Sequence, residues 1–223
     1  MKHQDKTKQR SVYFSESELR DVFSGRKSMM RMLVSPQPRI INYALKCSPF
    51  RYDGLWPKHE DGDGCHYIEA LCPKTREPRE KYISCGRSPL GEVGDKLLVK
   101  EPWGVDRSKH DNQPEIVYYV DRHDPFLQFP TLDGAWKCPH KLPAVWVRKT
   151  IKITQINIER IRRISLNYSD ICREGFSTEN AFETYWGDKH SQLGPEARWR
   201  NNPFVWVYSF ITEDNETARE GKQ

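Results

Sequence analysis

The sequence predicts an α+β fold: a mixed β-barrel with flanking helices and an irregular insertion. Three observations lead there. Short strand patterns, rich in β-branched and aromatic residues, recur near 12–14, 29–34, 96–100, 116–120, 145–157 and 204–210. Helical spacing of apolar residues appears near 16–24 and 168–186. Residues 39–90 are rich in Gly, Pro, Asp and Lys, with only short apolar pairs, and read as the insertion.

Composition bounds the rest. A chain of 223 residues is long enough for one sizeable domain or two small ones. One domain over 12–212 is expected, with a disordered basic arm over 1–11 and a charged tail over 213–223. The aromatic content of 12%, with seven Trp, suits a small barrel core or stacking on nucleic-acid bases. A formal charge of +5 permits an anionic partner without requiring one. No apolar run approaches the ~20 residues of a membrane span, and the polar, basic N-terminus is unlike a secretory signal. No membrane association and a cytoplasmic location are therefore expected. The cysteines at 47, 65, 72, 85, 138 and 172 contain no CxxC pair, so reduced thiols are expected. Cys65, His66, Cys72 and Cys85 are zinc-type ligands, but their spacing lacks the usual chelate knuckle, and neither metal nor cofactor is expected.

Taken in order, Val12–Phe14 is a short strand, and Ser15 or Ser17 caps the following helix, with Glu18 completing a capping box on Ser15. Leu19, Val22 and Phe23 share one helical face, and Gly25 falls just past the helix end, where a positive φ costs glycine little. Met29–Val34 is apolar and stops at Ser35-Pro36, because Pro has no N–H for a ladder. The insertion carries a short hairpin around Tyr67-Ile68 and Tyr82-Ile83. Gly94-Asp95 turns into the strand 96–100, and 121–142 is a long loop. Val145–Asn157 alternates as one long strand or a bent pair, and Ile158–Ile164 continues its apolar spacing with Arg160, Arg162 and Arg163 interleaved. Ser165 or Ser169-Asp170 starts the next helix, with Ile171, Cys172 and Phe176 facing inward, and Ser177–Trp186 is a further helix. The run Phe204–Phe210 closes the sheet.

The cations Arg26 and Lys27 follow Gly25 directly, and Arg31 stands four residues after Lys27. A helix-to-strand turn either displays such cations to solvent or aims them into a cavity. Glu101 and Trp103 stand at the end of the strand 96–100, as groups at a barrel mouth or as a surface carboxylate and a core tryptophan.

The pattern Phe23-x-Gly25-Arg26-Lys27-x-x-x-Arg31 after a short helix resembles the ASCH family, small barrels related to the PUA RNA-binding fold, in a longer variant common in phages and prophages. Gly94–Glu101 with Trp103, Lys141–Ala144 before Arg148, Ile164-Ser165 to Glu174-Gly175 and Asn202–Val207 match that variant in the same order. The resemblance implies a PUA-like barrel that binds RNA or a modified nucleotide in a cationic cleft. Arg26, Lys27, Arg31, Glu101 and Trp103 would contact the ligand, and Lys27, Arg31, Glu101 and Glu174 would converge in one concave site.

ASCH-like proteins also include an enzyme that removes the acyl group of N4-acetylcytidine. That resemblance gives Lys27 the role of activating a Thr three residues later and Glu174 that of acid or electrostatic support. The Thr position is Met30, which has no hydroxyl to deprotonate. Ser28 is adjacent to Lys27 and faces the other way on an extended chain. Met32 stands where the variant usually has a second Arg. Two alternatives to ligand binding follow: an amidohydrolase of N4-acylated cytidine-type nucleosides using Ser28 or water, or an accessory interaction protein without catalysis, whose protein partners the sequence does not name.

Overall fold

The computed structural model describes residues 10–38, 57–58, 65–71, 78–106, 115–123 and 135–215. The expected tail beyond Asn215, most of the expected basic arm, Cys47, Cys72 and the middle of the 121–142 loop lie outside them. The strands are β1 (Arg10–Tyr13), β2 (Met29–Leu33), β3 (Pro57–Lys58), β4 (His66–Leu71), β5 (Pro78–Gly86), β6 (Lys96–Lys100), β7 (Trp103–Asp106), β8 (Glu115–Tyr118), β9 (Lys149–Arg160) and β10 (Phe204–Asp214). The helices are α1 (Glu16–Phe23), α2 (Tyr168–Arg173) and α3 (Glu179–Lys189), with several short 3-10 turns.

This is the mixed α+β class that the sequence predicts. A five-stranded mixed sheet has the order β1-β6-β9-β10-β2, with β3-β4-β5 and β7-β8 as separate small sheets. The strand expected at 116–120 is therefore placed differently: β8 pairs antiparallel with β7, from Trp103↔Tyr118 to Asp106↔Glu115. The expected hairpin of the insertion forms, with Ile68 opposite Ile83 and Glu69 opposite Tyr82.

The chain divides into two compact units, and β9 and β10 pass from one to the other. The first takes its described residues from Met1–Ser28, Gly94–Ile153 and Phe210–Gln223. Its α1 begins with the predicted capping box, in which Ser15 Oγ accepts from the Glu18 N–H and Glu18 returns a bond to the Ser15 N–H. Gly25, at φ 77°, ends the helix turn. In the same unit β1 runs parallel to β6, and β6 pairs antiparallel with the start of β9. Leu98, Trp103, Leu142 and Val147 form its apolar cluster. Three boundaries differ from expectation, the first being β10, which runs on to Asp214 and into the residues expected as tail. Arg10 and Ser11, expected in the arm, belong to β1. Val145-Trp146, expected as the start of a strand, lie in the 3-10 turn Ala144–Trp146 that follows Pro143, so β9 starts only at Lys149. Proline supplies no ladder donor and presets the turn.

The second unit comprises Met29–Val93 and Thr154–Ser209. Here β10 pairs antiparallel with β2, Val207 opposite Arg31 and Tyr208 opposite Met30. Residues 204–210 are buried throughout, so the strand reads as a continuous apolar run rather than an alternation. Val205 and Val207 join Met29, Ile161, Ile164, Ile171, Phe182 and Trp186 in one core. Tyr208 bonds Ser88 at 3.0 Å, and Trp206 meets the His66 ring edge-on at 5.0 Å. The α2 cap is Asn167, whose side chain accepts from the Ser169 N–H, rather than the serines expected. Cys172, expected to face inward, is exposed, while Ile171 and Phe176 face the core as predicted.

Phe182 is fully buried and meets Phe176 and Trp199 edge-on at 5.4 and 5.9 Å. Its truncation leaves a cavity that this aromatic cluster cannot refill. Phe182→Ala is expected to cost about 3–5 kcal/mol, read as a lower urea midpoint at unchanged slope. Leu166→Ala, at a side chain 85% exposed, is expected to stay within about 0.5 kcal/mol.

Candidate functional site

The Gly25 turn separates its two cations. Arg26 is exposed and bonds Asp21 at the surface. Lys27 turns inward to 1% exposure, its N–H on the Asp21 carbonyl and its Nζ 3.6 Å from Glu18 Oε1. Glu18 thus serves twice, as the capping-box acid and as a buried counter-ion. Both groups come from adjacent turns of chain, which makes the pair a local consequence of Ser15, Glu18 and Gly25.

Glu101 follows β6 and is fully buried. Arg148 meets it with two parallel bonds, Nε to Oε1 at 3.0 Å and Nη2 to Oε2 at 2.8 Å. The remaining Nη1 donates to both oxygens of Asp121, at 3.0 and 2.8 Å. The guanidinium plane lies 4.0 Å from the centre of the Tyr118 ring and 5.0 Å from that of Phe23. This is the fork geometry that arginine supplies and lysine does not. Burial pushes the Glu101 carboxyl above its usual range, and the hydrogen bond and charge of Arg148 offset this only in part. For Arg148 the same burial opposes the charge, but Glu101 and Asp121 outweigh it and hold the pKa above the ordinary arginine value.

Trp103 is buried, with Trp146 edge-on at 5.3 Å and Lys137 Nζ 4.4 Å above its ring. Its indole Nε1 is buried and has no hydrogen-bond partner among the described residues. Trp146 is 36% exposed, on a segment where Lys137, His140 and Lys141 are also exposed.

In the second unit, Arg31 lies on the side of β2 that carries Met29, and its side chain is 1% exposed. Nη1 donates to Glu174 Oε1 at 3.0 Å, and Nη2 to Glu159 Oε1 at 2.7 Å and Asp170 Oδ2 at 3.4 Å. Glu174, just past α2, is equally buried, so each charge depends on the other. Burial disfavours the guanidinium, but Glu174 and Glu159 overcome it and raise its pKa. Arg163 and Arg173 add weaker contacts, to Glu159 at 3.8 Å and to Asp170 at 4.0 Å.

Of the residues expected to meet, Arg31 and Glu174 do so directly. Lys27 pairs with Glu18, and Glu101 with Arg148. Lys27 and Glu101 belong to the first unit, Arg31 and Glu174 to the second. Met30 is buried, within β2. Among the described residues no three His, Cys, Asp or Glu side chains are placed to hold a metal ion, and burial pushes the Cys85 thiol up to about 12. No helix is long and apolar enough to cross a membrane. Sequence reasoning passed over Arg148 as a ligand of Glu101, and missed Asp121, Glu159, Asp170, Lys137 and Trp146. Of these, only Trp146 had a signal, in the high aromatic content. No protein-family model, no curated protein and no solved structure matches the chain.

Two measurements check this electrostatic picture. Arg31→Met removes the cation that answers the buried Glu174 and the partly buried Glu159 carboxylates and is expected to cost about 3–5 kcal/mol, whereas Arg26→Ala, at an exposed pair, should cost under about 1 kcal/mol. The raised pKa of Glu101 means that the folded state holds its proton more tightly than the unfolded chain. Its contribution is therefore present below the ordinary carboxylate range and is lost as pH rises through the raised value. Unfolding free energies of Glu101→Gln and the natural protein, measured across that window, should converge or cross in the variant's favour as pH rises. Parallel curves would contradict the assignment.

Proposed function

We propose that this protein is an ASCH-type, PUA-like domain that binds single-stranded RNA or a nucleotide. The observation that carries the reading is the aromatic and cationic wall around Trp146. An exposed indole meets buried Trp103 edge-on, Lys137 lies over the Trp103 ring, and His140 and Lys141 are exposed on the segment that leads to Trp146. Aromatic platforms combined with cations bind single strands, because every base has a face to stack and every link a phosphate.

Lys27 and Arg31 do not carry the phosphate contacts of this reading. Both are buried against carboxylates, and a phosphate approaching Arg31 would meet three of them. The short helix, the left-handed Gly25 and the following strand support the ASCH resemblance, as does the Lys27 that turns inward. Acyl transfer does not enter the proposal, because buried Met30 offers no hydroxyl for Lys27 to activate.

The test is titration of the protein with short single-stranded RNA over a range of salt. Trp146→Ala is expected to weaken binding by about 1–3 kcal/mol, roughly 5- to 150-fold, from loss of one stacked base. Lys137→Ala should flatten the log–log salt dependence by about 0.7. Unchanged affinity and slope in both variants would refute the reading.

A further inference from the structure

Four exposed arginines stand on two turns of the second unit: Arg162 and Arg163 in the 3-10 turn Ile161–Leu166, and Arg198 and Arg200 on either side of Trp199. The core holds both turns in place. Ile161 and Ile164, three residues apart on a 3-10 helix, share a side and are fully buried, which leaves Arg162 and Arg163 facing solvent. Trp199 packs edge-on against Phe182 at 5.9 Å, and the arginines before and after it stay outside.

Asn202 joins the two turns. Its backbone adopts the left-handed conformation, φ 48° and ψ 58°. In that position its N–H reaches the Trp199 carbonyl at 2.9 Å, and its Oδ1 accepts from the Arg162 N–H at 3.0 Å. Its carbonyl accepts from Arg160 Nη1 at 2.9 Å, with the Arg160 guanidinium 3.7 Å over the Phe204 ring. The Ile161 N–H on the Pro203 carbonyl, at 2.8 Å, completes the staple. The exposed cations are thus presented from backbone that is already ordered. Among the described residues their one ion pair, Arg163 with Glu159 at 3.8 Å, is long, and Glu159 is already engaged by Arg31 at 2.7 Å.

Like charges gathered on one rigid surface repel one another, and a polyanion relieves that repulsion. Guanidiniums match phosphate oxygens bidentately, and their preordered backbone lowers the entropy cost of binding. We propose that Arg162, Arg163, Arg198 and Arg200 form a docking surface for the phosphodiester backbone of single-stranded RNA. The inference rests on the reading of the protein as an RNA binder and narrows its ligand from a nucleotide to a polynucleotide.

The experiment compares random-sequence single-stranded RNA, uridine monophosphate and polyglutamate as probes. The proteins are the natural chain, Arg162→Ala/Arg200→Ala and Trp146→Ala. Both arginines are exposed, and equal thermal midpoints check that the double variant is folded. Loss of two phosphate contacts should lower its log–log salt slope for RNA by about 1.4, with uridine monophosphate binding unchanged. An unchanged slope, with RNA binding still weakened by Trp146→Ala, overturns the arginine surface and leaves the functional reading standing. A lowered slope with Trp146→Ala silent upholds the arginine surface and sinks the aromatic site. Polyglutamate binding as tight as RNA binding, lost in the same double variant, overturns the assignment in favour of an acidic polypeptide. Absence of RNA binding by the natural protein overturns both.

Discussion

A guanidinium on the core-facing side of β2 must be neutralised where it lies, and the second unit is arranged to do so. Arg31 draws Glu159 from β9, Asp170 from α2 and Glu174 from the turn after it. The apolar residues around it, Met29, Ile171 and Val207, belong to the same core. Replacing such a cluster wholesale by hydrophobic residues can be neutral, whereas removing one partner leaves a buried charge exposed to no solvent. In the observed register of β2, β9 and α2 the guanidinium meets all three carboxylates.

The first unit handles buried charge the same way, with different partners. Arg148 is answered by Glu101 and Asp121 and enclosed by Tyr118 and Phe23. Lys27 is answered by a carboxylate that the helix cap already places. In each case the cation is committed to the fold. Exposed cations remain in both units, among them Lys137 and Lys141 in one and Arg162, Arg163, Arg198 and Arg200 in the other.

The basic turn sends its two cations opposite ways, Arg26 to the surface and Lys27 inward. Lys27 and Arg31 stand out in the sequence because they are cations in an apolar setting, and the same setting demands counter-ions. Glu174 was legible as a partner candidate. Glu159 and Asp170 were not, because nothing within their own segments distinguishes them from solvated surface acids.

What the sequence by itself determined is what neighbouring residues decide. The Ser15–Glu18 capping box, the left-handed Gly25, the hairpin of β4 and β5 and the buried run of β10 each follow from contacts or conformations within a few residues, or from an apolar pattern. Tertiary structure alone decided the pairing of β8 with β7 and the partners of Arg31 and Arg148. Arg31 and Glu174 are 143 residues apart, and Arg148 and Glu101 are 47 apart. Local propensity does not reach across such separations. Those partnerships arise only when burial removes water from the charges and leaves a carboxylate as the sole substitute.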